Sequence, residues 1–275
     1  EDTDELFVEH KLLVNTAEII AHAVLGFAPE TVVPRSLLSG AKFHEAGVHG
    51  VVEADFFDWV VEVPKGDAFV RTLARRVARF DWRAVEHDVL KVLYESVIAA
   101  DVRKKLGEYY TPDWLAQVMV DTVVTEPLAT RALDPSCGSG TFLFHLVRRY
   151  LAAADAAGQS VQETLDGVTK HVMGMDLHPV AVTLARVTYL LAIGPARLTD
   201  PSRDVIRVPV FLGDSMQWAK ARPTLWSAHE LRVPVDDERG VQRELTESEF
   251  VFPQTLLRDP RAFDDLVAQM ADQAV

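Results

Sequence analysis

Two short stretches carry residues able to grip a nucleotide-like ligand: Gly107-Glu-Tyr-Tyr-Thr-Pro112 and Asp134-Pro-Ser-Cys-Gly-Ser-Gly-Thr-Phe142. The second reads as the end of a buried strand, with Leu133 as its apolar lead-in, then a glycine turn and a helix from Thr141 to Tyr150. Gly138 and Gly140 permit positive φ and let a ligand approach the main chain with no Cβ in the way. The first N–H groups of the following helix point at whatever sits over the turn.

Residue chemistry separates three ligands. A P-loop needs Gly-Lys-Ser/Thr, because a lysine must neutralise phosphate charge, whereas Gly140 is followed by Thr141 and Phe142. The dinucleotide fingerprint needs a third small residue where helix and strand touch, and Leu143 stands there. Asp134 is a poor neighbour for a pyrophosphate and a good partner for an ammonium group. A ligand with an α-amino group, a ribose and a sulfonium fits better, which points to S-adenosylmethionine.

Two further acids follow apolar runs. Val172-Met-Gly-Met-Asp176 precedes Leu-His-Pro179 and a helix expected from about 180 to 193. Val208-Pro-Val-Phe-Leu-Gly-Asp214 is a third such run. Asp176 is placed to accept from both ribose hydroxyls and Asp214 from an adenine amino group, along the carboxyl edge of one parallel sheet. An aspartate after a strand is commonly a turn former or helix cap. Three in register behind one glycine turn favour the ligand-binding reading.

On these segments the chain resembles the N6-adenine DNA methyltransferases of restriction-modification and phage-defence systems. Residues 107–112, 134–142, 172–179 and 212–214 look like the family's motifs X, I, II and III, in the gamma-class order shared by fused type IIG and type I modification enzymes. The likeness covers about residues 93–215. It implies a Rossmann-like α/β fold in which Tyr110, Thr111 and Pro112 close over the methionine end of the cofactor. It places Asp134, Pro135, Cys137, Gly138, Gly140, Thr141 and Phe142 around the amino-acid moiety, Asp176 and Leu177 at the ribose, and Asp214 and Ser215 at the adenine. Independently, Thr111 reads as an N-cap and Pro112 as the first helical residue.

One departure is large. The family's catalytic loop, Asn/Asp/Ser-Pro-Pro-aromatic, holds the N6 amine of a flipped adenine. Here Asn15 is the only asparagine, and no two of the fourteen prolines are adjacent. The expectation is a cofactor-binding half with no catalytic residue of its own, inactive alone, the loop and target-recognition region lying past Val275. In the intact enzyme, N6 would displace the sulfonium methyl in line, giving N6-methyladenine and S-adenosylhomocysteine.

Composition is compatible with this reading. The 275 residues are 48% hydrophobic, enough for a sizeable core. No apolar run reaches membrane-span length, and a sole cysteine, Cys137, suits the cytoplasm and excludes an intrachain disulfide. Cys137 reads as a small residue tolerated in a tight turn. The nine histidines form no ligand pattern, His171 and His178 read as turn residues, and no metal is assigned. A net charge of −13 is awkward for duplex DNA. Basic residues do concentrate between Arg71 and Lys105, nine against five acids, with Arg71, Arg75 and Arg79 on one helical face and Arg103-Lys-Lys105 further on. DNA is the expected partner, chiefly through regions outside this chain, with specificity or defence-system subunits beside it.

Three regions must position these residues. Residues 1–105 read as mainly helical, with Leu12, Leu13, Thr16, Ile19, Ile20, Ala23 and Val24 on one face, further helices at about 68–80 and 84–100, and Phe56, Phe57 and Trp59 as core. Residues 106–218 read as the cofactor core. Residues 219–275 read as an insertion with an acidic turn at 236–240 and an amphipathic helix bearing Phe263, Leu266, Val267 and Met270. The alternatives are a non-catalytic methyltransferase-like module of a defence complex, a methyltransferase acting on RNA, protein or a small molecule, and, disfavoured by Asp134 and Leu143, an NAD-dependent oxidoreductase.

Overall fold

The computed structural model describes residues 2–52, 56–82, 85, 88–106, 111–213, 215, 230–234 and 249–253. It divides into two compact units, Glu1–Ser215 and Met216–Val275. The first is mostly helical: α1 (Asp2–Val24), α2 (Pro34–Leu38), α3 (Ala41–Glu45), α4 (Gly66–Val77), α5 (Val89–Val97), α6 (Ala100–Leu106), α7 (Asp113–Val123), α8 (Thr141–Ala156), α9 (Val161–His171), α10 (Pro179–Ile193) and α11 (Pro195–Leu198). Strands β2 (Ala132–Asp134), β3 (Val172–Asp176) and β5 (Val210–Leu212) form a parallel sheet in the order β2-β3-β5. Two-residue strands β1 (Val48–His49) and β4 (Ile206–Arg207) pair in parallel elsewhere.

Helix α10 is the centre of the packing. Its sequence is apolar nearly all round, as befits a helix with no solvent face, and residues 182–193 except Arg186 are buried. Helix α1 lies against it on one side and α8 on another. Arg186 Nε donates to the Val210 carbonyl at 3.0 Å, and the Tyr189 hydroxyl lies 3.1 Å from the carbonyls of both Val168 and Val172. These bonds tie α10 to β5 and to the α9–β3 junction.

Several sequence expectations change. α1 was expected to bury one face, yet Lys11, Asn15, Glu18 and His22 are buried as well as Leu13, Ile19 and Ile20. With α10, α4, α5 and α2 all packed around it, little of α1 beyond residue 10 is left for water. The helix expected at 84–100 begins only at Val89, because Asp88 turns inward as its N-cap, and it ends at Val97, where Ile98 is extended. α7 starts at Asp113 with Pro112 as the cap residue and no side-chain cap from Thr111. Proline's fixed φ suits either position.

Leu133 is 59% exposed, not buried, because among the described residues nothing covers its face of the sheet. Leu133 pairs with Met173, and Met175 with Phe211, on the sheet face opposite Val172 and Val210; Phe211 is also exposed. Trp59 lies at the surface, stacked on Phe7 with centroids 6.1 Å apart and with Lys11 Nζ 5.5 Å from its ring centroid. The side chains of Phe56 and Phe57 lie outside the described residues. His171 ends α9 and so is no turn residue, whereas His178 lies in the bend at 177–178 that leads into α10.

In the second unit, β6 (Glu230–Pro234) and β7 (Glu249–Pro253) form an antiparallel pair with Arg232 opposite Val251. The residues between them include the acidic turn at 236–240. That turn, and the amphipathic helix expected around 263–270, lie outside the described residues.

Candidate functional site at the carboxyl ends of β2 and β3

Strands β2 and β3 run side by side with Asp134 opposite Gly174, so Asp134 and Asp176 emerge at the same sheet edge. Between them lies the glycine turn, with Gly138 at φ 54° and Gly140 at φ 97°. A side chain at Gly140 would be strained by that backbone, and its Cβ would stand 3.2 Å from both Ala185 Cα and Thr188 Cβ on α10. The turn is therefore pressed against the central helix, and glycine is required for both reasons.

The turn is knitted to β3 by its own main chain. The Gly138 N–H donates to Asp176 Oδ2 at 2.8 Å, the His178 N–H to Asp176 Oδ1 at 2.9 Å, and the Cys137 N–H to the Met175 carbonyl at 2.9 Å. Asp176 thus bonds the turn directly, and a carboxylate retains lone pairs for further donors. The Ser136 N–H donates to Asp134 Oδ1 at 3.2 Å. Gly140 caps α8, leaving the N–H groups of Thr141, Phe142 and Leu143 with no intrahelical acceptor.

The edge gathers two carboxyl groups whose described partners are main-chain N–H donors. Burial pushes the Asp134 carboxyl above its ordinary value, the Ser136 N–H pulls it back, and the Asp176 charge pushes it up further. Among the described residues no ion pair reaches either carboxylate. Cys137 is buried, and burial together with Asp134 and Asp176 drives its thiol up to about 12, so it is protonated and unreactive at neutral pH.

The other residues singled out from sequence are placed unevenly. Pro135 and Leu177 are exposed beside the two acids, Phe142 is half-buried and Thr141 is buried. Thr111 and Pro112 lead into α7, which is held to α8 by His145 Nε2 and Asp113 Oδ1, 2.9 Å apart. Ser215 is half-buried just past β5. Tyr110 and Asp214 lie outside the described residues. The side chains of Lys104 and Lys105 do too, while Arg103 is engaged with Glu95 at 3.3 Å and the Ile98 carbonyl at 3.2 Å.

Sequence reasoning passed over Asp88. This residue is 3% exposed and receives Ser139 Oγ at 3.0 Å and Thr141 Oγ1 at 2.9 Å from the turn, Thr188 Oγ1 at 3.3 Å from α10, and the Lys91 N–H at 3.0 Å. Burial raises its carboxyl above the usual range against the pull of those four donors. The available signal was an aspartate just ahead of an apolar helical run, which marks a cap but not the direction in which it faces. His10 of α1 also comes close, meeting the His178 ring edge-on at 5.1 Å. An apolar cleft of about 330 Å³ between α1, α4 and α5 shares no residue with this edge.

Residues 85–194 match the N-6 DNA Methylase family. The chain is 27% identical over 136 residues to the adenine-specific methyltransferase PglX of Streptomyces coelicolor, covering 45% of this chain and 11% of that protein. A modification subunit of a putative type I restriction enzyme from Vibrio vulnificus is similar at 15% identity and a TM-score of 0.36, covering 72% of this chain and 50% of the other. The likeness to the N-6 DNA Methylase family thus spans residues 85–194 of the 275, and the chain covers only a small part of the length of PglX.

Proposed function

We propose that this chain binds S-adenosylmethionine at the β2–β3 edge, and that it does so as the cofactor-binding half of an N6-adenine DNA methyltransferase of a restriction-modification or phage-defence system. The observation that carries the reading is the pair of carboxylates, Asp134 and Asp176, flanking a left-handed glycine turn with no ion-pair partner among the described residues. A ligand with an ammonium and a sulfonium relieves that charge, whereas a phosphate adds to it. Within this proposal the three-stranded parallel sheet is the start of a Rossmann-like methyltransferase sheet.

The residues fit the group. Asp134 faces the ammonium, and the free N–H groups of Thr141, Phe142 and Leu143 present the positive end of α8 to the carboxylate of the methionine moiety. Asp176, already holding the turn, accepts from ribose hydroxyls; Leu177 packs beside it, and Asp214 and Ser215 serve the adenine. Tyr110, Thr111 and Pro112 close the methionine end. Bound there, the cofactor supplies a methyl group on a sulfonium. Cys137 lies with the rest of the turn around the amino-acid moiety, and its thiol, held protonated, supplies no nucleophile.

No Asn/Asp/Ser-Pro-Pro-aromatic loop occurs in the 275 residues. Methyl transfer is therefore proposed for the assembly that supplies that loop and the DNA-recognition surface, and cofactor binding for this chain alone. A second reading is a methyltransferase-like module that binds partners without catalysis. Titration calorimetry with S-adenosylmethionine and S-adenosylhomocysteine separates the two. Saturable binding is expected, and no heat up to about 1 mM, the upper end of ordinary substrate affinities, overturns the cofactor reading in favour of the second.

A further inference from the structure

The first turn of α5 touches both walls of the candidate site. Its cap, Asp88, accepts from Ser139 and Thr141 in the glycine turn, at 3.0 and 2.9 Å through one carboxylate oxygen. The other oxygen accepts from Thr188 of α10 at 3.3 Å and from the Lys91 N–H at 3.0 Å. One turn on, Lys91 Nζ donates to the Thr111 carbonyl at 2.5 Å. A single helical turn, fixed at both ends, therefore spans from the glycine turn to the segment that leads into α7.

We propose that Asp88 and Lys91 are positioning residues that set the distance between the glycine turn and the Thr111–Pro112 segment, and thereby the width of the cofactor site. The inference rests on the cofactor reading above. It follows from connectivity. Thr111 and the turn are about 30 residues apart in sequence, and the contacts running between them through α5 are charge-assisted hydrogen bonds, which are stronger and more directional than neutral ones. The burial of Asp88 matters too: with no water to replace a lost acceptor, the hydroxyls of Ser139 and Thr141 must find other partners and the turn must shift. Asp88 acts through Ser139 and Thr141, and Lys91 through the Thr111 carbonyl.

The test uses the whole chain with Asp88→Ala, Asp88→Asn, Lys91→Met and, as a stability control, Ser160→Ala, which removes the N-cap of the distant α9. S-adenosylhomocysteine affinity is read by calorimetry, thermal stability by circular dichroism, and local opening by hydrogen exchange of the amides of residues 138–144. Asp88→Ala should raise Kd about tenfold and speed exchange in the turn, and Lys91→Met should raise Kd about threefold, the scale of one or two lost buried bonds. Asp88→Asn, an equally good cap that still bonds hydroxyls, should stay within about threefold of wild type. Ser160→Ala should lower the Tm and leave both Kd and turn exchange unchanged. Wild-type affinity in folded Asp88→Ala and Lys91→Met, or an equal Kd loss in Ser160→Ala, overturns the proposal. If Asp88→Ala does not fold, Lys91→Met decides alone. If the wild-type chain binds no S-adenosylhomocysteine, the cofactor reading fails, and the exchange rates of the turn still decide whether α5 holds it.

Discussion

Replacing Asp176 with alanine removes the acceptor for two main-chain donors, the N–H groups of Gly138 at 2.8 Å and His178 at 2.9 Å, and any acceptor the carboxylate offers a ribose. A hydrogen bond to a charged group contributes about 1.5–3 kcal/mol in a buried setting. Asp176 is only half-buried, so water competes and about 1 kcal/mol per lost main-chain bond is the appropriate scale. The fold should therefore lose about 2 kcal/mol. Affinity for S-adenosylhomocysteine should fall by about 1–3 kcal/mol, because the ribose partner is lost and the turn is loosened. Calorimetry on the folded variant reads the affinity, and urea denaturation reads the stability. Asp176→Asn keeps an acceptor oxygen for one of the two main-chain N–H groups and sets its amide against the other, and should recover only part of the stability and of the affinity. Wild-type affinity in a folded Asp176→Ala protein would falsify the assignment of Asp176 to the cofactor; loss of affinity with unchanged stability would refute its role in holding the turn.

Three further outcomes follow from particular residues. Gly140→Ala forces a side chain onto a backbone at φ 97° and against Ala185 Cα at 3.2 Å. It should cost about 1–3 kcal/mol, seen as a Tm lower by several degrees, together with weaker cofactor binding. His22 is fully buried, and burial holds its imidazole down at about 4 against the carbonyls of Glu18 and Ser36, which pull it up. The unfolded chain takes up that proton near pH 6.5 and the folded chain only near pH 4, so stability should fall as pH drops from 7 to 4, by up to about 3 kcal/mol. His22→Phe should flatten that part of the stability–pH curve, and an unchanged slope would show that other groups cause it. The side chains of Arg71, Arg75 and Arg79 are exposed beside α4's buried Val70, Ala74 and Val77. If they meet DNA phosphates, Arg→Gln at all three should weaken duplex binding and reduce the slope of log K against log salt by about three; an unchanged slope makes the stripe a solvated face.

What sequence alone settled was local, and the reason is that those features depend on short-range sterics. Gly138 and Gly140 stand where the backbone is left-handed, Pro179 opens α10, and the apolar runs ending at Asp134 and Asp176 are parallel strands. A glycine, a proline or an alternating run constrains its own dihedrals whatever surrounds it. The arrival of Asp134 and Asp176 at one edge follows from the parallel direction of their strands, which the strand–helix alternation already implied, while Asp214 lies outside the described residues. Tertiary structure alone decided which way ambiguous residues face. Asp88 has the sequence of an ordinary helix cap, and only the packing of α8 and α10 around it turns it into the anchor of the glycine turn. Lys11, Asn15, Glu18 and His22 look like a solvated stripe between apolar positions, yet the helices packed around α1 bury them. Leu133 reads as core and is exposed, because among the described residues nothing packs on its face of the sheet. Burial is set by what packs on a residue from distant parts of the chain, and no periodicity within the element carries that information.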